Sequence, residues 1–156
     1  MIIRPFIFCA GLGVLLTLAA FGVRADDERR APPVPVLPQY AQECGACHTA
    51  YPPRMLPAQS WQRLVGGLDR HFGVDASLDA ATARQIGDWL AAHANDRVAA
   101  PAQDRITRTQ WFQREHREIP AAVWSRPTVQ SPSRCSACHL HADQGQFDEH
   151  AVRIPR

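Results

Sequence analysis

The chain has 156 residues, 46% hydrophobic and 21% charged, which excludes a mainly disordered protein and leaves room for one compact domain or two very small ones. All 17 basic residues are Arg, against 15 Asp plus Glu, for a formal charge of +2. Arg4 and Arg24 fall in a segment expected to be removed; without them the chain is formally neutral, which argues against a nucleic-acid partner.

Residues 1–25 follow the order of a secretory signal peptide. Arg4 is the basic start, Pro5 to Gly22 the apolar middle, and Val23-Arg24-Ala25 puts small residues at positions −3 and −1 of a cut. Cleavage after Ala25 leaves 131 residues and removes Cys9. The competing assignment is an uncleaved membrane anchor, because the apolar stretch is about as long as the shortest spans a bilayer allows. Residues 26–39 are charged and then Pro-rich, an extended arm. Helices are predicted at about 43–49, 60–71, 79–94, 109–118 and 133–140, with no confident strand. Ser60 is the expected cap of the second, whose Trp61, Leu64, Val65, Leu68 and Phe72 share a face. Pro120 is the expected stop of the fourth. Asn95 to Arg105, with Pro101, is the natural boundary between a first half (40–100) and a second half (101–156), packed as one unit.

The four remaining cysteines form two pairs, Cys44-Gly45-Ala46-Cys47-His48 and Cys135-Ser136-Ala137-Cys138-His139. Two thiols separated by two residues and followed at once by His are the attachment signature of c-type haem. The thiols reach the two vinyl groups on one porphyrin edge while the next residue turns under the ring to ligate iron. A thiol-disulfide pair or a four-thiolate zinc site would use the same cysteines, but neither explains a His after both pairs. The cofactors are therefore two covalently attached haem c groups, held by Cys44, Cys47, Cys135 and Cys138. They also supply buried bulk to a chain poor in large side chains.

His48 and His139 are the proximal ligands by this geometry. For the sixth positions the candidates are His71, His93, His116, His141, His150 and Met55. His71 closes an apolar helical face and His116 lies in an apolar stripe with Phe112 and Ile119, so these two are the expected distal ligands. They stand 23 residues from His48 and His139, respectively. Met55 follows His48 too closely and among prolines, His93 ends a helix, His141 turns away from His139, and His150 lies in a polar tail. The pairing of distal with proximal residues stays open. Two axial histidines fill the iron's coordination, favour outer-sphere electron transfer and lower its potential relative to a His/Met cytochrome. The alternative function is a haem enzyme or a gas or redox sensor with one open iron; a blander one is a protein using haem for stability alone.

Glu43-Cys44-x-x-Cys47-His48-x-x-Tyr51-Pro52-Pro53, Ser60-Trp61, His71-Phe72-Gly73, Trp111-Phe112-x-x-x-His116 and Cys135-x-x-Cys138-His139 with Gly145-x-Phe147 together resemble the small dihaem cytochrome c family of bacteria. The resemblance implies an all-α fold of short helices and loops around two haems, its N-terminal half similar to a small monohaem cytochrome c. It implies a periplasmic electron carrier, not an enzyme, with bis-His ligation in which His71 and His116 match the distal ligands. It implies redox protein partners, an oxygen-binding high-spin cytochrome or a membrane b-type cytochrome, and no small-molecule substrate.

Overall fold

The computed structural model describes residues 34–156. The signal peptide assigned to residues 1–25 and the start of the arm lie outside them. Val34 to Leu37 carry no regular structure, and the first helix, α1 (Pro38–Gly45), begins earlier than predicted. Proline is the reason: its fixed φ suits a helix start, and its missing N–H belongs to the turn where no intrahelical partner exists. The arm therefore ends at Leu37, and Tyr40 on α1 is buried.

After a 3-10 turn at Pro53–Met55 the chain forms α2 (Ala58–Gly66). Ser60 is not its cap. It is a fully buried residue of the first turn, while Pro57 holds the extended entry position. The Trp61 indole N–H donates to the Pro53 carbonyl at 2.6 Å, so the turn and the helix are joined through the core. The helix also stops short of His71. Gly66 and Gly67 weaken it in succession, and a separate 3-10 turn, Leu68–Arg70, follows. His71 to Val74 then make a tight turn, with φ of 49° at Phe72 and 100° at Gly73. Positive φ at both central positions is the signature of the mirror-image turns, and glycine is the residue that accepts it without strain. Phe72 is accordingly exposed rather than part of the helix face.

α3 (Ala80–Ala92) starts where predicted, with the Asp79 carboxylate accepting from the backbone N–H of Ala81 and Thr82. It packs on α2 and α1, and Tyr40, Leu56, Trp61, Ile86 and Leu90 form the buried cluster between them.

The connection after α3 is tied to this cluster. Asn95 N–H donates to the Leu56 carbonyl, the Asp96 carboxylate accepts from Ala58 N–H, and Ile106 packs against the core. Arg63 grips Asp104 with two hydrogen bonds, 2.8 and 2.6 Å. The second half carries α4 (Gln110–Glu115), capped by the Thr109 hydroxyl, and α5 (Ala121–Trp124). α4 ends at His116, before the predicted limit, and Pro120 opens α5 rather than closing the previous helix, again a proline at a helix start. The helix predicted at 133–140 is only a 3-10 turn, Cys135–Ala137.

Residues 34–156 form one compact unit. Among the described residues there is no strand beyond two isolated bridges, His71 to Val74 and His139 to Val152, and no helix is long and apolar enough to cross a membrane. The fold is all-α, as predicted.

The Arg63 ion pair gives a pH-dependent prediction. Its hydrogen bonds hold the Asp104 carboxyl below the ordinary value of 3.8, so its stabilisation is present above that pH and is lost as the pH falls through the lower folded-state value. Asp104→Asn should lower the thermal midpoint at neutral pH, and the gap from wild type should close in strong acid; calorimetry across the pH range checks both.

Candidate functional site

The first cysteine pair sits at the C-terminal end of α1. Cys44 is the penultimate helical residue, Ala46 continues in the right-handed region, and Cys47 and His48 follow in the turn. The His48 ring faces that of His71, with centroids 6.1 Å apart and planes inclined by 23°. On its other flank His48 stacks on Tyr51, at 5.0 Å and 21°. Its Nδ1 lies 2.7 Å from the Thr49 carbonyl oxygen.

The second pair occupies the 3-10 turn Cys135–Ala137 and the residue after it. His139 N–H donates to the Cys135 carbonyl at 2.8 Å, closing one helical turn, as the attachment chemistry requires. The chain's end pins this turn: Val152 bridges to His139, and Arg153 N–H donates to the Cys138 carbonyl. His139 faces His116 with ring centroids 6.2 Å apart and planes at 71°. His116 stacks on buried Phe112 at 4.0 Å and lies 5.8 Å from Trp124, while Phe147 meets His139 edge-on. The His116 Nδ1 is 2.9 Å from the Phe112 carbonyl oxygen. A cavity of about 640 Å³ opens beside His116, lined by Arg105, Arg108, Phe112, Trp124 and Ser133 among others.

The two pairs share one plan. In each, a backbone carbonyl within hydrogen-bond reach orients one ring, and the Nδ1 of the other, His71 or His139, is buried with no protein partner. Burial holds both of those histidines below the ordinary imidazole value, assisted at His71 by His48 and Arg105 and at His139 by His116. A neutral imidazole is the form that ligates metal. The thiols of Cys44 and Cys135 are pushed up to about 11, chiefly by burial. Four-thiolate zinc is not supported, since among the described residues no three His, Cys, Asp or Glu side chains gather as a metal cluster.

The remaining histidines stand apart from these pairs. The His93 ring lies against that of Trp89, with centroids 5.3 Å apart, and His141 and His150 are exposed. Met55 lies half-buried in the Pro53–Met55 turn.

The model of the family described as dihaem cytochrome c matches residues 40–147. The chain belongs to the dihaem cytochrome c family. It is similar to the solved diheme cytochrome type c of Shewanella baltica, at 41% identity over 78% of this chain and 95% of that one, with a TM-score of 0.70. Two structures of the diheme cytochrome c of Rhodobacter sphaeroides show 42% and 38% identity. Each covers 73% of this chain, and 99% and 98% of those, with TM-scores of 0.65 and 0.66. No match is found among curated protein sequences. This dihaem cytochrome is an electron carrier with two covalently bound c-type haems.

The residues present fit those groups. A metal–nitrogen bond of about 2 Å on each side of one ion, with each ring centre about an ångström beyond its nitrogen, places two trans imidazoles about 6 Å apart. Both observed spacings meet that distance. The cavity beside His116 lies within the usual range for cofactor pockets. Sequence reasoning assigned no role to Tyr51, Arg105, Ser133 or Val152. Tyr51 carried a weak signal, three residues after His48; the others touch the sites only through tertiary contacts.

Phe112 is the aromatic support of the second site. Phe112→Ala should cost about 3–5 kcal/mol of unfolding free energy in a denaturant titration of the holoprotein.

Proposed function

We propose that this dihaem cytochrome is a periplasmic electron carrier with two low-potential, bis-His haems, His48 with His71 on the first and His139 with His116 on the second. The observation that carries the reading is that two imidazole pairs stand with ring centres 6.1 and 6.2 Å apart, a metal-bridging distance, one ring of each pair contributed by a C-x-x-C-H turn. When bound, the haems supply a reversible one-electron couple, and histidine on both faces stabilises its ferric form. The chain's own residues do the rest. The Thr49 and Phe112 carbonyls hold His48 and His116 in rotation through Nδ1, leaving the opposite ring nitrogen to ligate. Arg105 and Arg108 line the second cavity and would supply positive charge to the carboxylates of a haem bound there. The filled coordination leaves no site for a small-molecule substrate.

Residues 1–25 act as the cleaved export signal, consistent with a cofactor attached outside the cytoplasm. The partners are redox proteins, an oxygen-binding high-spin cytochrome c or a membrane b-type cytochrome.

Low-temperature electron paramagnetic resonance of the oxidised holoprotein tests the ligation. Two different low-spin ferric signals are expected, because the first pair of rings is nearly parallel and the second crossed. His71→Ala and His116→Ala should each convert one haem to high spin while both stay attached. A substantial high-spin signal from intact protein would instead mean an open iron.

A further inference from the structure

Tyr51 touches both sites. Its ring stacks on His48, the imidazole next to the first attachment turn, at 5.0 Å. Its hydroxyl donates to the Ser133 carbonyl at 2.7 Å, across 82 residues of sequence. Ser133 lines the cavity beside His116, and its carbonyl also lies 3.8 Å from the Cys135 sulfur, the first thiol of the second attachment turn. Tyr51 is itself held from behind, since the Tyr40 hydroxyl donates to the Tyr51 carbonyl at 2.7 Å from within the core cluster. One side chain thus connects the proximal imidazole of one haem to the attachment turn of the other, with one aromatic contact and one hydrogen bond.

We propose that Tyr51 is the positioning residue of inter-haem electron exchange, holding the second attachment turn against the first haem's proximal histidine at a fixed separation. The proposal rests on the ligation of His48 and His139 argued above. The exchange moves one electron, oxidising the ferrous side as the ferric side is reduced. No bond forms or breaks, and the Tyr51 proton stays on its oxygen. A strut matters here because the electronic coupling between two centres falls steeply with the gap between them. The half that carries Cys135 has little regular structure of its own to fix that gap.

Tyr51→Phe tests the strut by removing the hydroxyl and keeping the stacked ring. Asp96→Ala is its control, deleting a hydrogen bond of similar length between the connection after α3 and the start of α2, away from both Tyr51 and Ser133. Both holoproteins would be checked for two haems per chain and for low-spin spectra, then half-reduced by a light flash to follow electron equilibration between the haems. Tyr51→Phe is expected to slow equilibration several-fold and to change the separation of the two midpoint potentials, with Asp96→Ala matching wild type. Equal behaviour of the two variants would overturn the proposal and leave Tyr51 as ordinary core packing. Loss of the second haem from Tyr51→Phe would overturn it as well, assigning the residue to assembly. High-spin signals in the unmodified protein would instead defeat the ligation on which the proposal rests.

Discussion

Two imidazole rings about 6 Å apart must be brought together twice in this small chain, and most of its architecture follows from that demand. One ring of each pair comes tied to its cysteines in a single turn of backbone. The other must arrive from elsewhere in the chain, and in both halves it arrives just past a helix that has ended early. α2 breaks at its glycines so that His71 can sit on a tight turn, and α4 stops at His116 itself. Short helices are the direct consequence: a longer α2 or α4 would carry its histidine past the facing ring at 1.5 Å per residue.

The halves meet the demand with different materials. The first has a three-helix core of Tyr40, Leu56, Trp61, Ile86 and Leu90, against which Cys44 and Tyr51 of the site also pack. The second has little of that kind. Phe112, Val123, Val129 and Ala142 are buried, but its helices are a turn or two long and its attachment turn is anchored by the chain's last residues. Its stability leans on aromatic rings gathered around His116 and on contacts from the first half. The Tyr51 hydroxyl on Ser133 and the Arg105 guanidinium 4.2 Å from the Phe72 ring centre both cross the joint. Arg105 lies over the residue next to His71 and also lines the cavity beside His116, so both sites share its positive charge.

Burial of His71 and His139 disfavours their protonated forms, and the cationic neighbours Arg105 and, when charged, the facing histidines act in the same direction. Partial burial and fixed carbonyl acceptors limit rearrangement around a centre that changes charge by one, which is what an electron carrier needs. In each site two imidazoles of the chain itself face one another, the arrangement on which the proposed closed coordination rests.

The chemistry was legible in the sequence because it depends on adjacency. C-x-x-C-H is a covalent requirement confined to five residues, and it named the cofactor without any knowledge of the fold. That His71 and His116 each meet the histidine of an attachment motif was signalled more weakly, by their place at the ends of apolar helical stretches, and the all-α class followed from periodicity and the family resemblance. The helix limits were less legible. Proline marks a helix start as readily as a stop, so Pro38 and Pro120 each opened a helix where the pattern suggested an arm or an end. What only the tertiary structure decided was which rings face each other, at what angle, and which residues join the sites. Tyr51 and Ser133 are 82 residues apart, and Val152 reaches His139 from the chain's end. Such contacts arise when separate segments bury against one another, and local spacing carries no record of them.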